Sequence, residues 1–96
     1  MEIGTVQSHL RQASTEMVNP FRSGAELIVA LTEELGEVAT EVSLIEQIGT
    51  KAEWSRDPST ERLTEEMLHL LNLTFTLANQ YEIDLDKAYK QYFNQK

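Results

Sequence analysis

The chain contains no cysteine in its 96 residues, which excludes a disulfide framework and thiolate metal sites. Only four glycines and two prolines occur, and apolar and polar residues nowhere alternate with the period of two that strands require. The chain therefore reads as all-α. No apolar run reaches about 18 residues, so a membrane-spanning helix is not expected. The opening MEIGTVQSHLRQ lacks the basic-then-apolar plan of a secretory signal, and a cytoplasmic location is the expectation. The glycosylation pattern at Asn72 is set aside on the same ground. Positive charge is scarce as well, with eight basic residues against sixteen acidic ones and a formal charge of −8. Such a surface repels phosphate backbones, so neither DNA nor RNA is an expected partner. A small phosphorylated ligand stays open, because clustered carboxylates can hold a divalent cation that in turn holds phosphate.

What is present is a single small domain, residues 1–96. A chain of this length buries only about 60–65% of its unfolded surface, so its core is modest and a second copy is a natural source of further burial. Helical spacing predicts a first helix from about Gly4 to Val18, ended by the NPFRSG segment, where Pro20 denies the helix a donor. A second runs from near Gly24 to Ile48, with Gly49 as a left-handed cap. After a polar connector anchored by Trp54, Ser59 or Thr60 caps a third helix reaching about Tyr81. Asp84 caps a last helix toward Phe93.

Counting at about 100° per residue, Leu27, Leu31, Leu35, Val38, Val42 and Ile45 form a core stripe on the second helix. Glu34, Glu37 and Glu41 crowd one edge of it, with Glu33 further round. Val29, Leu44 and Ile48 lie outside the stripe, which suggests a second buried contact with a neighbouring protomer. On the third helix, Leu63, Met67, Leu70, Leu71, Thr74, Leu77 and Ala78 make the apolar face. Glu65, His69, Asn72, Thr76 and Gln80 make a polar stripe opposite. Glu66 sits on the boundary, framed by Leu70 and Leu73, and a half-buried carboxylate there needs a partner.

Between Ser23 and Thr50 there are six glutamates and no lysine or arginine. Like charges four residues apart cost a helix roughly 0.2–0.5 kcal/mol per pair, and a hard divalent cation would offset that cost. Glu66 is the evident donor from the facing helix. The plainer alternative is a solvated acidic face, the usual meaning of such runs.

The segments LTEELGEVATEV (31–42) and LTEEMLHLLNLTFTLANQYEIDLDKAY (63–89) resemble the MazG-like, all-α nucleoside triphosphate pyrophosphohydrolases. The resemblance spans roughly residues 24–93. It implies a four-helix MazG-like domain, with two long helices carrying the acidic motifs, assembled into an oligomeric helical bundle. That family carries Glu-Glu-x-x-Glu on one helix and Glu-x-x-Asp on the next. Its carboxylates bind Mg²⁺ or Mn²⁺, and its members cleave a nucleoside triphosphate to a monophosphate and pyrophosphate. Carried over, Glu33, Glu34 and Glu37 match the first motif and Glu66 opens the second. His69 stands where the family has aspartate. Glu33 and Glu34 are then the catalytic candidates, and Glu34, Glu37, Glu66 and His69 the metal ligands. A neutral imidazole binds Mn²⁺ but suits Mg²⁺ poorly, so Mn²⁺ is the favoured cofactor if His69 is a ligand.

Asn72, along the stripe from His69, and Lys87 are the candidates for touching substrate. His9 has no partner in view and reads as a surface residue. Tyr81, Tyr89, Tyr92 and Phe93 read as core or interface. The expected function is a metal-dependent nucleotide pyrophosphohydrolase acting as a homodimer or homotetramer. Two alternatives stand beside it: a non-catalytic relative that binds nucleotide, metal or a protein partner, and a purely structural helical oligomer.

Overall fold

A computed structural model of the chain describes residues 2–16, 23–49 and 56–94. Among them are four α-helices and no strand: α1 (Ile3–Glu16), α2 (Gly24–Glu46), α3 (Thr60–Gln80) and α4 (Leu85–Asn94). The all-α reading holds. Met17, Val18, the NPFR segment, Trp54 and Lys96 lie outside the described residues.

Local chemistry explains where each helix begins. Ser23 accepts a hydrogen bond from the Glu26 amide through its side chain, while Glu26 accepts one from the Ser23 amide, a reciprocal capping box that starts α2. Of the two candidates for capping α3, it is Ser59 whose hydroxyl accepts from the Arg62 amide. Asp84 accepts from the Lys87 amide and starts α4 as expected. The end of α2 differs from expectation. The left-handed turn falls first on Gln47, at φ 57°, with Gly49 following at φ 67°. The Gln47 and Ile48 amides both donate to the Ser43 carbonyl, so the last turn is closed before the glycine is reached.

The two long helices are antiparallel neighbours: Glu41 of α2 meets Arg62 of α3, Glu34 meets His69, and Gly24 meets Tyr81. Their shared seam corrects the predicted core stripe. Leu27, Glu34 and Glu41, seven residues apart, lie along it together with Leu44, facing half-buried Leu63, Glu66, Leu70, Leu73 and Leu77. Leu35 is instead 57% exposed and Ile45 36% exposed, while Leu31, Val38 and Val42 are half-buried. Leu44 is buried within this chain rather than against a neighbouring protomer, whereas Val29 and Ile48 are exposed. Two apolar lines sit side by side on α2, and periodicity alone cannot tell which one meets a helix of the same chain.

The first helix packs on α3 and α4, held by a buried amide. Gln7, 7% exposed, donates through Nε2 to Asn79 Oδ1 and the Ile83 carbonyl, both at 3.0 Å, and accepts from the Leu85 amide at 3.0 Å. The side chain of Asn79 donates back to the Gln7 carbonyl, and Arg11 donates to Asn79 Oδ1. Fully buried apolar residues among those described are few: Leu27, Leu44 and Ala78. The radius of gyration is 16.0 Å, against about 12–13 Å for a compact chain of this length. The four aromatics Tyr81, Tyr89, Tyr92 and Phe93 are exposed here rather than core. Phe93 stacks on Tyr89 and meets Tyr92 edge-on. No helix is long and apolar enough to cross a membrane.

Candidate functional site

Within the α2–α3 seam, two glutamates of α2 meet opposite treatment. Glu41, 2% exposed, is held by Arg56 at 2.5 Å and Arg62 at 3.0 Å. Arg62 also donates to the Asp57 carbonyl, fixing the segment that leads into α3. The predicted cluster of four unpaired glutamates is thereby corrected: Glu41 belongs to a buried ion-pair network and is satisfied. Neither arginine lies on α2, which is why a count along that helix missed them. Charges taken out of water need such partners.

Glu34, two turns earlier in the same line, has no such arginine among the described residues. It faces Glu66, and the two helices bring His69 between them. His69 Nδ1 lies 3.5 Å from Glu34 Oε2 and 3.6 Å from Glu66 Oε2, long for hydrogen bonds. Both carboxylates are half-buried, and Oε2 of Glu34 is a buried acceptor with no hydrogen-bond partner. The reason is chemical. Two ionised carboxylates only accept, so neither satisfies the other until a proton or a cation sits between them. Glu66 shows the consequence: a hydrogen bond shared with Glu34, burial, and the charge of Glu34 push its carboxyl above the ordinary glutamate range, while His69 pulls the other way.

Among the described residues, Glu34, Glu66 and His69 are a group whose donor atoms all lie within 4.8 Å of one another, close enough for one metal ion. Glu33 and Glu37 are exposed and stand outside that group. Both are on the side of α2 toward which His69 opens on α3, as their helical positions require. Asn72 is exposed one turn beyond His69, and its carbonyl accepts from the Thr76 hydroxyl. Lys87 is exposed in the first turn of α4, a helix packed on α1, so the fold does not carry it into the acidic group. His9 is exposed, as expected of a surface residue.

A separate cleft of about 370 Å³ opens between α1 and the α3–α4 turn, lined by Gln7, Arg11, Asn79, Glu82 and Asp84 among others. Its buried amides already satisfy one another. Neither Gln7 nor Asn79 was singled out from sequence, since a lone Gln and a lone Asn carry no periodic signal. Compared with known protein families, with curated proteins and with solved structures, the chain finds no match in any of the three.

Proposed function

We propose that this chain is a divalent-metal-dependent nucleotide pyrophosphohydrolase of the MazG-like type, acting as a homo-oligomer on a nucleoside triphosphate or related small nucleotide. The observation that carries the reading is the orphaned, buried Oε2 of Glu34, set against Glu66 in a helix seam where a solvating charge has no reason to be. A cation is the natural partner for two such acceptors, and the donor set fits one. Glu34, Glu66 and His69 would hold it, with Glu37 reaching in from the adjacent turn. Bound there, it would neutralise phosphate oxygens and acidify a water molecule. On this reading Glu33 would accept that proton and Asn72 would touch the nucleotide; both are exposed.

His69 favours a second reading, a non-catalytic relative that binds nucleotide, metal or a protein partner. Its Nδ1 lies 3.5 Å from Glu34 Oε2 and 3.6 Å from Glu66 Oε2. It also replaces the carboxylate of the resembling motif with a neutral nitrogen donor, which suits Mn²⁺ better than Mg²⁺. One assay separates the readings: release of pyrophosphate from a panel of nucleoside triphosphates, with Mg²⁺ and with Mn²⁺. The expected result is weak turnover with Mg²⁺, recovery with Mn²⁺, and a gain in Mg²⁺-dependent turnover in His69→Asp. No release from any nucleotide with either ion, in the wild type and in His69→Asp alike, refutes the hydrolase.

A further inference from the structure

We propose that the cleft between α1 and the α3–α4 turn is a binding site for a basic α-amino acid, a ligand with one carboxylate and two cationic groups. Its volume of about 370 Å³ falls within the range usual for small-molecule sites. The floor is built of bonded amides. Gln7, 7% exposed, and Asn79 bind each other, and Gln7 also binds the Ile83 carbonyl and the Leu85 amide, which fixes the spacing of α1 from the turn. Three charged side chains stand in the lining, Arg11 from α1 and Glu82 and Asp84 from the turn. Among the described residues Arg11 forms no ion pair with either carboxylate; it donates instead to Asn79 Oδ1 at 3.2 Å. Oδ1 of Asp84 accepts from the Lys87 amide, which leaves its second oxygen for a ligand. The neighbouring Asp86 is paired with Lys90 at 3.0 Å and adds no net charge.

The backbone at Glu82 is strained without structural compensation. Its amide donates to the Asn79 carbonyl, the Ile83 amide donates to the Ala78 carbonyl, and Glu82 itself lies at φ 56°. This is the Schellman ending of a helix, whose left-handed position is usually glycine. The Glu82 side chain is exposed, and among the described residues its carboxylate has no hydrogen bond or ion pair. A local rule broken with no gain in packing is the mark of a residue used for binding. The charges then define the ligand. One arginine against two carboxylates leaves the lining with a single negative charge. A carboxylate suits the planar guanidinium of Arg11, and an α-ammonium and a side-chain cation suit Glu82 and Asp84. A purely anionic ligand would oppose both acids, and a simple diamine would leave Arg11 without a partner.

Asn79 lies about 15 Å along α3 from His69, so the test is independent of metal binding and turnover. Thermal melting and amide NMR of the whole chain are followed with L-lysine, L-ornithine and L-arginine at millimolar concentration. L-glutamate, and cadaverine, which lacks the carboxylate, serve as controls. The expected result is a saturable rise in melting temperature with the basic amino acids, resonance shifts in α1 and the α3–α4 turn, and no response to either control. Arg11→Met and Glu82→Gln should each weaken binding by about tenfold or more. Glu82→Gly separates binding from folding. It should melt higher than wild type in plain buffer, because glycine adopts the left-handed position without strain, and yet lose the response to lysine. No saturable response to any of the three basic amino acids overturns the site. A lysine response unchanged in Arg11→Met or in Glu82→Gly overturns it equally, and an equal response to glutamate or cadaverine overturns the ligand class.

Discussion

Glu34 and Glu41 are one residue type on one line of one helix, yet among the described residues only Glu41 is paired with arginine. The contrast makes Glu34 and its neighbour Glu66 sensitive to whatever supplies positive charge. On the proposed reading, Mn²⁺ at about a hundred times its Kd stabilises the fold by about 2.7 kcal/mol, seen as a higher melting temperature. Glu66→Gln should abolish that gain and leave the metal-free protein as stable as wild type or more so. An identical response to Mn²⁺ in wild type and variant refutes the ligand role of Glu66. The raised carboxyl of Glu66 also fixes a sign. The folded state holds this proton more tightly than the unfolded chain, so its contribution to stability is fully present below about pH 4.3 and is lost as pH rises through the higher, folded value. In metal-free buffer, wild type should therefore gain on Glu66→Gln as pH falls from neutral toward the ordinary glutamate range. Parallel melting curves across that range would contradict it.

At the scale of elements, α1 is attached to the rest by polar contacts more than by apolar burial. The buried amide of Gln7 serves three partners: Asn79, Ile83 and Leu85. Gln7→Leu strands the Leu85 amide and the Ile83 carbonyl together, and each unsatisfied buried group costs about 1–3 kcal/mol. The expected loss is about 2–4 kcal/mol, with amide exchange accelerating in α1 and α4 before α2. Chemical denaturation showing a loss under about 0.5 kcal/mol would place these bonds in contact with water instead. Arg62 poses a parallel case between α2 and the segment entering α3. Arg62→Met leaves Glu41 with Arg56 alone, and the cost should be about 1–2 kcal/mol, reduced because the arginine is itself 37% exposed. Adding Glu41→Leu removes the stranded charge and should restore most of the loss.

For the whole molecule, the few fully buried apolar residues and the extended radius describe a layer more than a closed globule. Folding coupled to association has a thermodynamic mark: the melting temperature rises with protein concentration, because mass action favours the assembled state. A hundredfold increase in chain concentration should raise it by several degrees, and Leu35→Ala should lower both the temperature and its concentration dependence. A melting temperature independent of concentration over that range contradicts the coupling.

The all-α class, the four helices and the cap at Asp84 were legible in the sequence, with Ser59 one of two candidates for the cap of α3, because helical periodicity and capping hydrogen bonds act within a few residues. So was the half-burial of Glu66, since Leu70 and Leu73 frame it on its own helix. Which way α2 turns its two apolar lines was not legible. That is decided by α3, which draws Leu27, Glu34, Glu41 and Leu44 inward and leaves Leu35 outside. The pairing of Glu41 with Arg56 and Arg62, 15 and 21 residues along the chain, and the bonding of Gln7 to Asn79 across 72 residues belong to the same class. Contacts between side chains distant in sequence leave no local pattern, so only the packed helices reveal which glutamate meets arginine and which faces a second carboxylate and a histidine.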